Sequence, residues 1–161
     1  MKNKSILFLM QSAMIAALYV VLTVLFAPFS FGNIQVRIAE ALTILPYFTP
    51  TAVPGLFIGC LIGNLIGGAA LPDIIFGSLA TLLGAILTYL LRKKNMFFAP
   101  IPPILSNTFI IPAVLRIAYG MNLPIVYMMA TIGIGEIISC GILGMILLSS
   151  LKKYQHKLFK L

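Results

Sequence analysis

Asn33, Gln35, Arg37 and Glu40 bring amide, guanidinium and carboxylate chemistry into the segment Gly32–Pro46, whose other residues are mostly apolar. Arg37 and Glu40 stand three apart, so a helix would place them on one face. A charged side chain in mid-bilayer costs about 2.5–3.5 kcal/mol on insertion scales, so such charges persist where they pair, reach water or hold a ligand. Two readings are open: a structural ion pair at a helix mouth, or one wall of a binding site for a polar solute. Further along, Asn64, Asp73, Asn107, Arg116 and Glu136 also interrupt apolar runs. Glu40, Asp73 and Glu136 are all the acids the chain has.

The elements that must position these residues are membrane helices. A hydrophobic fraction of 61%, a charged fraction of 9% and a mean hydropathy of +1.11 exclude an ordinary soluble domain. The net charge of +8 does not point to nucleic acid, because nine of the eleven basic residues lie in three clusters that flank apolar runs. These are Lys2 and Lys4; Arg92, Lys93 and Lys94; and Lys152, Lys153, Lys157 and Lys160. Such clusters mark the cytoplasmic side and contact anionic lipid. Cys60 and Cys140 lie in apolar runs without a CxxC or a nearby His, and read as small buried hydrophobes. No metal or cofactor site is expected, and His156 in the basic tail reads as solvated. The run Ile6–Phe26 is too long for a signal-peptide core and is read as a retained first span.

Six spans are expected in a single membrane domain over 1–161: residues 6–27, 37–48, 52–68, 74–91, 103–119 and 124–151. In the first, Ala13 and Ala17 lie one turn apart and offer a small-residue surface for close helix contact. The second covers only about 18 Å and must tilt or be completed by the Pro46, Pro50 and Pro54 turn. The third carries Gly55, Gly59, Gly63 and Gly67 at four-residue spacing, a ridge that lets another backbone approach. The fourth follows Pro72 and Asp73, which suit a helix start, so capping competes with ligand binding as the role of Asp73. Gly77, Thr81 and Ala85 repeat the small-residue spacing there. The fifth carries Asn107, a kink expected at Pro112, and Arg116; the sixth holds Glu136 at its middle.

With both termini cytoplasmic, six spans put all three basic clusters on one side. Helical rise then sets Arg37, Glu40, Asn64, Asp73 and Arg116 within about 6 Å of the outer ends. Asn107 and Glu136 fall level with each other, about 18 Å down. Seven polar groups facing one end describe a lined cavity, with the Phe29–Val36 loop as its outer lid. Catalysis has little support, since there is no Gly-x-Ser-x-Gly, His-Glu-x-x-His or phosphate-binding Gly-x-x-x-x-Gly-Lys-Ser/Thr motif. A small protein with a pocket and no motor borrows energy from a partner or an ion gradient.

Ile34–Leu42, Gly59–Leu65, Asp73–Leu82, Asn107 and Gly135–Cys140, in this order and spacing, resemble the queuosine-precursor transporter family. These are substrate-binding (S) components of energy-coupling factor transporters. The resemblance covers nearly the whole chain. It implies a six-helix, multi-pass protein of the bacterial cell membrane that captures a deazaguanine-type precursor of queuosine from outside. It also implies a transmembrane coupling (T) protein and two ATPases as partners, with Ala13 and Ala17 matching the surface on which first helices of this class meet the T protein. The site it implies comprises Gln35, Arg37, Glu40, Asn64, Asp73, Asn107 and Glu136. A guanine-like edge presents adjacent N–H donors that one carboxylate accepts as a pair. Glu136 is the expected ligand carboxylate: Asp73 is expected to cap a helix and Glu40 to pair with Arg37, whereas Glu136 has no cation at its depth. It must hold a proton or be neutralised by ligand N–H groups, with Asn107 orienting the ring. The alternatives are an S component for another vitamin-like solute, a stand-alone proton-coupled transporter using Glu136, and a non-transport scaffold. The lack of a visible internal repeat counts against the stand-alone transporter.

Overall fold

The computed structural model of the chain describes residues 2–30 and 36–159, with side chains at all of these except 2, 3, 29, 30, 156 and 157. Every regular element among the described residues is helical. Helix α1 (Lys2–Leu25) has 24 residues, about 36 Å of rise, enough for a hydrocarbon core of about 30 Å. A one-turn helix, α2 (Ala27–Ser30), follows it.

The next element departs from expectation. Ile38–Tyr47 is a 3-10 helix, entered from Arg37 in an extended conformation (φ −87°, ψ 95°). Two features disfavour a regular i→i−4 ladder here. Pro46 has no N–H to donate, and the Thr43 hydroxyl donates to the Glu40 carbonyl at 2.6 Å. Packing supplies what the tighter helix lacks, because every residue from Ala39 to Pro46 is buried. At about 2.0 Å per residue its ten residues rise about 20 Å, short of the hydrocarbon core.

Helix α3 (Ala52–Ile66) is likewise short, at 15 residues. Helix α4 (Leu71–Leu91) begins before the expected Ile74, because Pro72 fits its first turn. Helix α5 (Ile101–Tyr119) takes Pro102 and Pro103 into its first turn and ends at Gly120, whose φ of 62° is the left-handed stop. Then α6 (Ile125–Glu136) runs through a π-helical stretch (Ile137–Leu143) into α7 (Gly144–Lys152), and α8 (Gln155–Leu158) closes the described chain. By length and apolar character four segments among the described residues can cross a membrane: Lys4–Leu25, Leu71–Leu91, Met96–Tyr119 and Ile125–Lys152. Against the six spans expected, Ile38–Tyr47 and Ala52–Ile66 are the two shorter apolar helices. Large apolar side chains stand exposed on the long helices, among them Leu9, Leu90, Ile117 and Val126. Lipid, not water, suits that surface.

The glycine ridge of α3 packs on α1. A Cβ at Gly55 would lie 2.7 Å from the Ser12 carbonyl oxygen, and one at Gly59 would lie 2.8 Å from Tyr19 Cβ. A Cβ at Gly63 would meet Thr23 at 3.1 Å. Two contacts bring the basic clusters to one end of the bundle. Lys152 Nζ reaches Met96 Sδ at 3.5 Å, just past the α4 terminus, and Gln11 Nε2 donates to the Leu158 carbonyl at 3.4 Å. Two apolar clusters form the core. Tyr19, Ile44, Leu56 and Leu148 belong to one, and Ala80, Ile111, Met128 and Ile132 to the other.

Candidate functional site

The 3-10 helix carries Glu40 into the interior, where the residue is 0% exposed. Tyr19 of α1 donates its hydroxyl to Glu40 Oε1, and Thr81 Oγ1 of α4 lies 3.2 Å from the same oxygen. The Thr81 proton is shared, since Gly77 O is also 3.2 Å away and Cys60 Sγ 3.4 Å. Glu40 Oε2 has no hydrogen-bond partner among the described residues. A buried carboxylate oxygen left without a donor costs about 1–3 kcal/mol or more, so it asks for an explanation.

Glu136, the last residue of α6, is 3% exposed. Asn107 Nδ2 of α5 donates to its Oε1 at 3.0 Å, and Cys140 Sγ lies 3.2 Å from its Oε2. Asn107 thus meets Glu136 at the common depth that helical rise assigns them. The two glutamates do not belong to separate layers, however. Ligand atoms of Glu40, Glu136 and Cys140 lie within 4.8 Å of one another. Such a trio could hold a metal ion in principle. Here Cys140 Sγ lies 3.3 Å from both Thr43 Oγ1 and the Glu40 carbonyl oxygen, so its one proton is shared between that carbonyl and Glu136 Oε2, while Asn107 donates to Glu136 Oε1. The trio is held together as a hydrogen-bonded network.

Toward the other end, Arg37 Nη2 lies 3.5 Å from Asp73 Oδ2, with the two side chains 8% and 1% exposed. Tyr119 at the end of α5 donates to the same oxygen at 3.4 Å and accepts from the Ala70 N–H at 2.9 Å. Asp73 Oδ1 has no partner among the described residues. Asn64 and Asp73 converge at Gly77, where a Cβ would sit 3.0 Å from Asp73 Oδ1 and 3.3 Å from Asn64 Nδ2. Asn64 Nδ2 makes its contact with Cys60 Sγ at 3.5 Å.

Several expectations are corrected. The ion pair expected between Arg37 and Glu40 is made between Arg37 and Asp73. The reason is local: Arg37 is extended and precedes the helix, so the i,i+3 rule does not apply to it. Asp73 does not cap α4, whose cap residue is Ala70 without a side-chain bond. Glu40 lies beside Glu136 instead of in an outer ring. Arg116 is exposed in the last turn of α5, outside the cluster. Both cysteines are buried and free, but each sulfur contacts the polar network. Gln35 and most of the expected lid lie outside the described residues.

Sequence reasoning missed Tyr19, Tyr119 and the role of Thr81. A signal for Tyr19 was present, since Ser12, Tyr19 and Thr23 share one face of α1 at seven- and four-residue spacing. Ala13 and Ala17 are exposed on that helix, in a shallow apolar groove of about 480 Å³ that Ile58 and Ile62 of α3 complete.

A family model described as "QueT transporter" matches residues 9–153. A curated relative, the "Queuosine precursor transporter QueT" of Lactococcus lactis subsp. cremoris (strain MG1363), is 34% identical over 102 residues. The match takes in 61% of this chain and spans 60% of that relative's length. No solved structure matches the chain. The family match runs through every helix that contributes to the buried polar network: this is a multi-pass protein of the cell membrane, and the chain belongs to the QueT transporter family.

Proposed function

We propose that the chain is the substrate-binding component of an energy-coupling-factor importer, capturing a deazaguanine-type queuosine precursor from outside. The observation that carries this reading is that all three acids of the protein are buried among polar groups, Glu40 beside Glu136 and Asp73 beside Arg37, and that among the described residues Glu40 and Asp73 each keep an unpartnered carboxylate oxygen. Glu40, Asp73 and Glu136 accept ligand N–H groups; Asn64, Asn107, Gln35 and Arg37 serve the carbonyl and ring acceptors. A guanine-like edge matches this set because it presents both kinds of group side by side. The relative's name supports the substrate class. The four long segments cross the membrane and the shorter Ile38–Tyr47 and Ala52–Ile66 complete a six-span domain, with both termini and the basic clusters cytoplasmic and Arg37, Asp73 and Tyr119 at the outer end. With no phosphate-binding loop in the sequence, ATP is spent by partners: a T component that meets α1 at Ala13 and Ala17, and two ATPases.

Calorimetry of the purified chain with 7-deazaguanine ligands tests this directly. Wild type binds. Glu40→Gln and Glu136→Gln each weaken binding by about 1.5–3 kcal/mol, the value of a hydrogen bond to a charged group. Undiminished affinity in both variants overturns the site. A second reading draws on the closeness of Glu40 and Glu136, an arrangement suited to carrying a proton. As a stand-alone proton-coupled carrier, the chain would sustain uptake in cells lacking the ATPases, and loss of uptake there removes that reading.

A further inference from the structure

Glu40 is held asymmetrically. Both hydroxyls near its carboxylate, those of Tyr19 and Thr81, address Oε1, while Oε2 has no partner among the described residues. Two donors whose task was only to satisfy a buried carboxylate would be expected to divide between its oxygens, because the oxygen left bare carries the desolvation penalty. Concentrating them on one oxygen fixes the plane of the carboxylate and leaves the other as an open acceptor. Asn107 gives its side-chain hydrogen bond to Glu136, not to Glu40. Glu136 has the Asn107 amide on Oε1 and a share of the single Cys140 thiol proton at Oε2, so it is the less open of the pair.

Tyr19 is the more committed of the two donors. Its hydroxyl has Glu40 as its acceptor, whereas the Thr81 proton is shared among three. The phenol ring is 1% exposed, and its Cβ is backed by Gly59 so closely that a methyl there would stand 2.8 Å away. Its position is therefore set by the α1–α3 contact. The same helix presents Ala13 and Ala17 on the groove outside.

We infer that Tyr19 is the positioning residue of the ligand carboxylate: it orients Glu40 so that Oε2 meets the ligand's N–H donors, and it ties ligand affinity to the seating of α1 on α3. This rests on the functional reading above for the ligand, and on the contact geometry alone for the Tyr19–Glu40 link.

Tyr19→Phe keeps the ring and removes the donor. Two measurements on the full chain in nanodiscs decide the matter. In the ligand-free protein, the infrared carboxyl band of Glu40, assigned as the band lost in Glu40→Gln, shifts in Tyr19→Phe. An unmoved band overturns the inference whatever the protein binds. With 7-deazaguanine as the probe, Tyr19→Phe weakens affinity about tenfold. On a Glu40→Leu background the same change costs less than about twofold, because residues acting through one partner are not additive. Equal losses on both backgrounds, or full affinity in Tyr19→Phe, overturn it. A wild-type chain that binds no deazaguanine overturns the functional reading, and the infrared band then decides the Tyr19–Glu40 link by itself.

Discussion

At the scale of single residues, the chain buries all three of its acids and Arg37, where charge is most costly. Arg37 and Asp73 are both nearly inaccessible, and Asp73 already has one oxygen without a partner among the described residues. Truncating one member of a buried pair costs about 3–5 kcal/mol, because the other charge is stranded. Arg37→Met therefore destabilises the protein by about that amount, read as a fall in denaturant midpoint of the purified chain. Arg37→Met combined with Asp73→Asn recovers most of it, since the stranded charge is gone. If the single variant is as stable as wild type, the pair is not the structural clamp its geometry describes.

At the scale of elements, two short helices do what longer ones could not. The 3-10 helix delivers Glu40 to the interior because every one of its residues from Ala39 to Pro46 is packed on by neighbours. The π-helical stretch begins directly after Glu136 and holds Cys140 against its carboxylate. Irregular helix at this point is a common mark of function. The glycine ridge sets how close α1 comes. Gly59→Ala forces a methyl to 2.8 Å from Tyr19 Cβ and 3.0 Å from the Ala16 carbonyl oxygen. Overpacking of this kind costs about 1–3 kcal/mol, and here it also moves Tyr19, so ligand affinity falls together with stability. Gly120→Ala is the contrasting case. Its φ is 62°, with no neighbour within 4 Å of a Cβ, so it loses about 1–2 kcal/mol of stability to backbone strain and none of the affinity. Parallel melting and calorimetry on the two variants separate these outcomes.

At the scale of the whole molecule, the basic clusters and the Arg37–Asp73–Tyr119 group occupy opposite ends of the bundle. An impermeant maleimide applied to intact cells leaves Lys93→Cys and Lys153→Cys unlabelled and reaches Gly68→Cys and Asn122→Cys. Labelling of Lys93→Cys from outside would reverse the orientation and move the site to the cytoplasmic face. The groove on α1 and α3 supplies a second test. Ala13→Leu fills a close-contact surface without touching the polar network, so uptake by cells is lost while the isolated chain still binds ligand. Loss of binding as well would make Ala13 a packing residue of the fold.

What the sequence determined by itself was set by composition and period. A chain this apolar, with basic clusters at run ends, reads as a membrane bundle, and glycines every fourth residue read as a close helix contact, which Gly55, Gly59 and Gly63 make. The meeting of Asn107 and Glu136 was legible too, because helical rise fixes depth once the helix ends are known. Tertiary structure decided the partners. Whether Arg37 pairs with Glu40 or Asp73 depends on Arg37 lying outside the helix, and the 3-10 geometry that puts it there is stabilised by burial among α1, α4 and the π-helical stretch. Tyr19 stayed unread for the same reason. Its polar neighbours on α1, Ser12 and Thr23, mark a face but name no partner, and it becomes part of a site only when Gly59 lets α1 close and its hydroxyl finds a carboxylate brought in by another element.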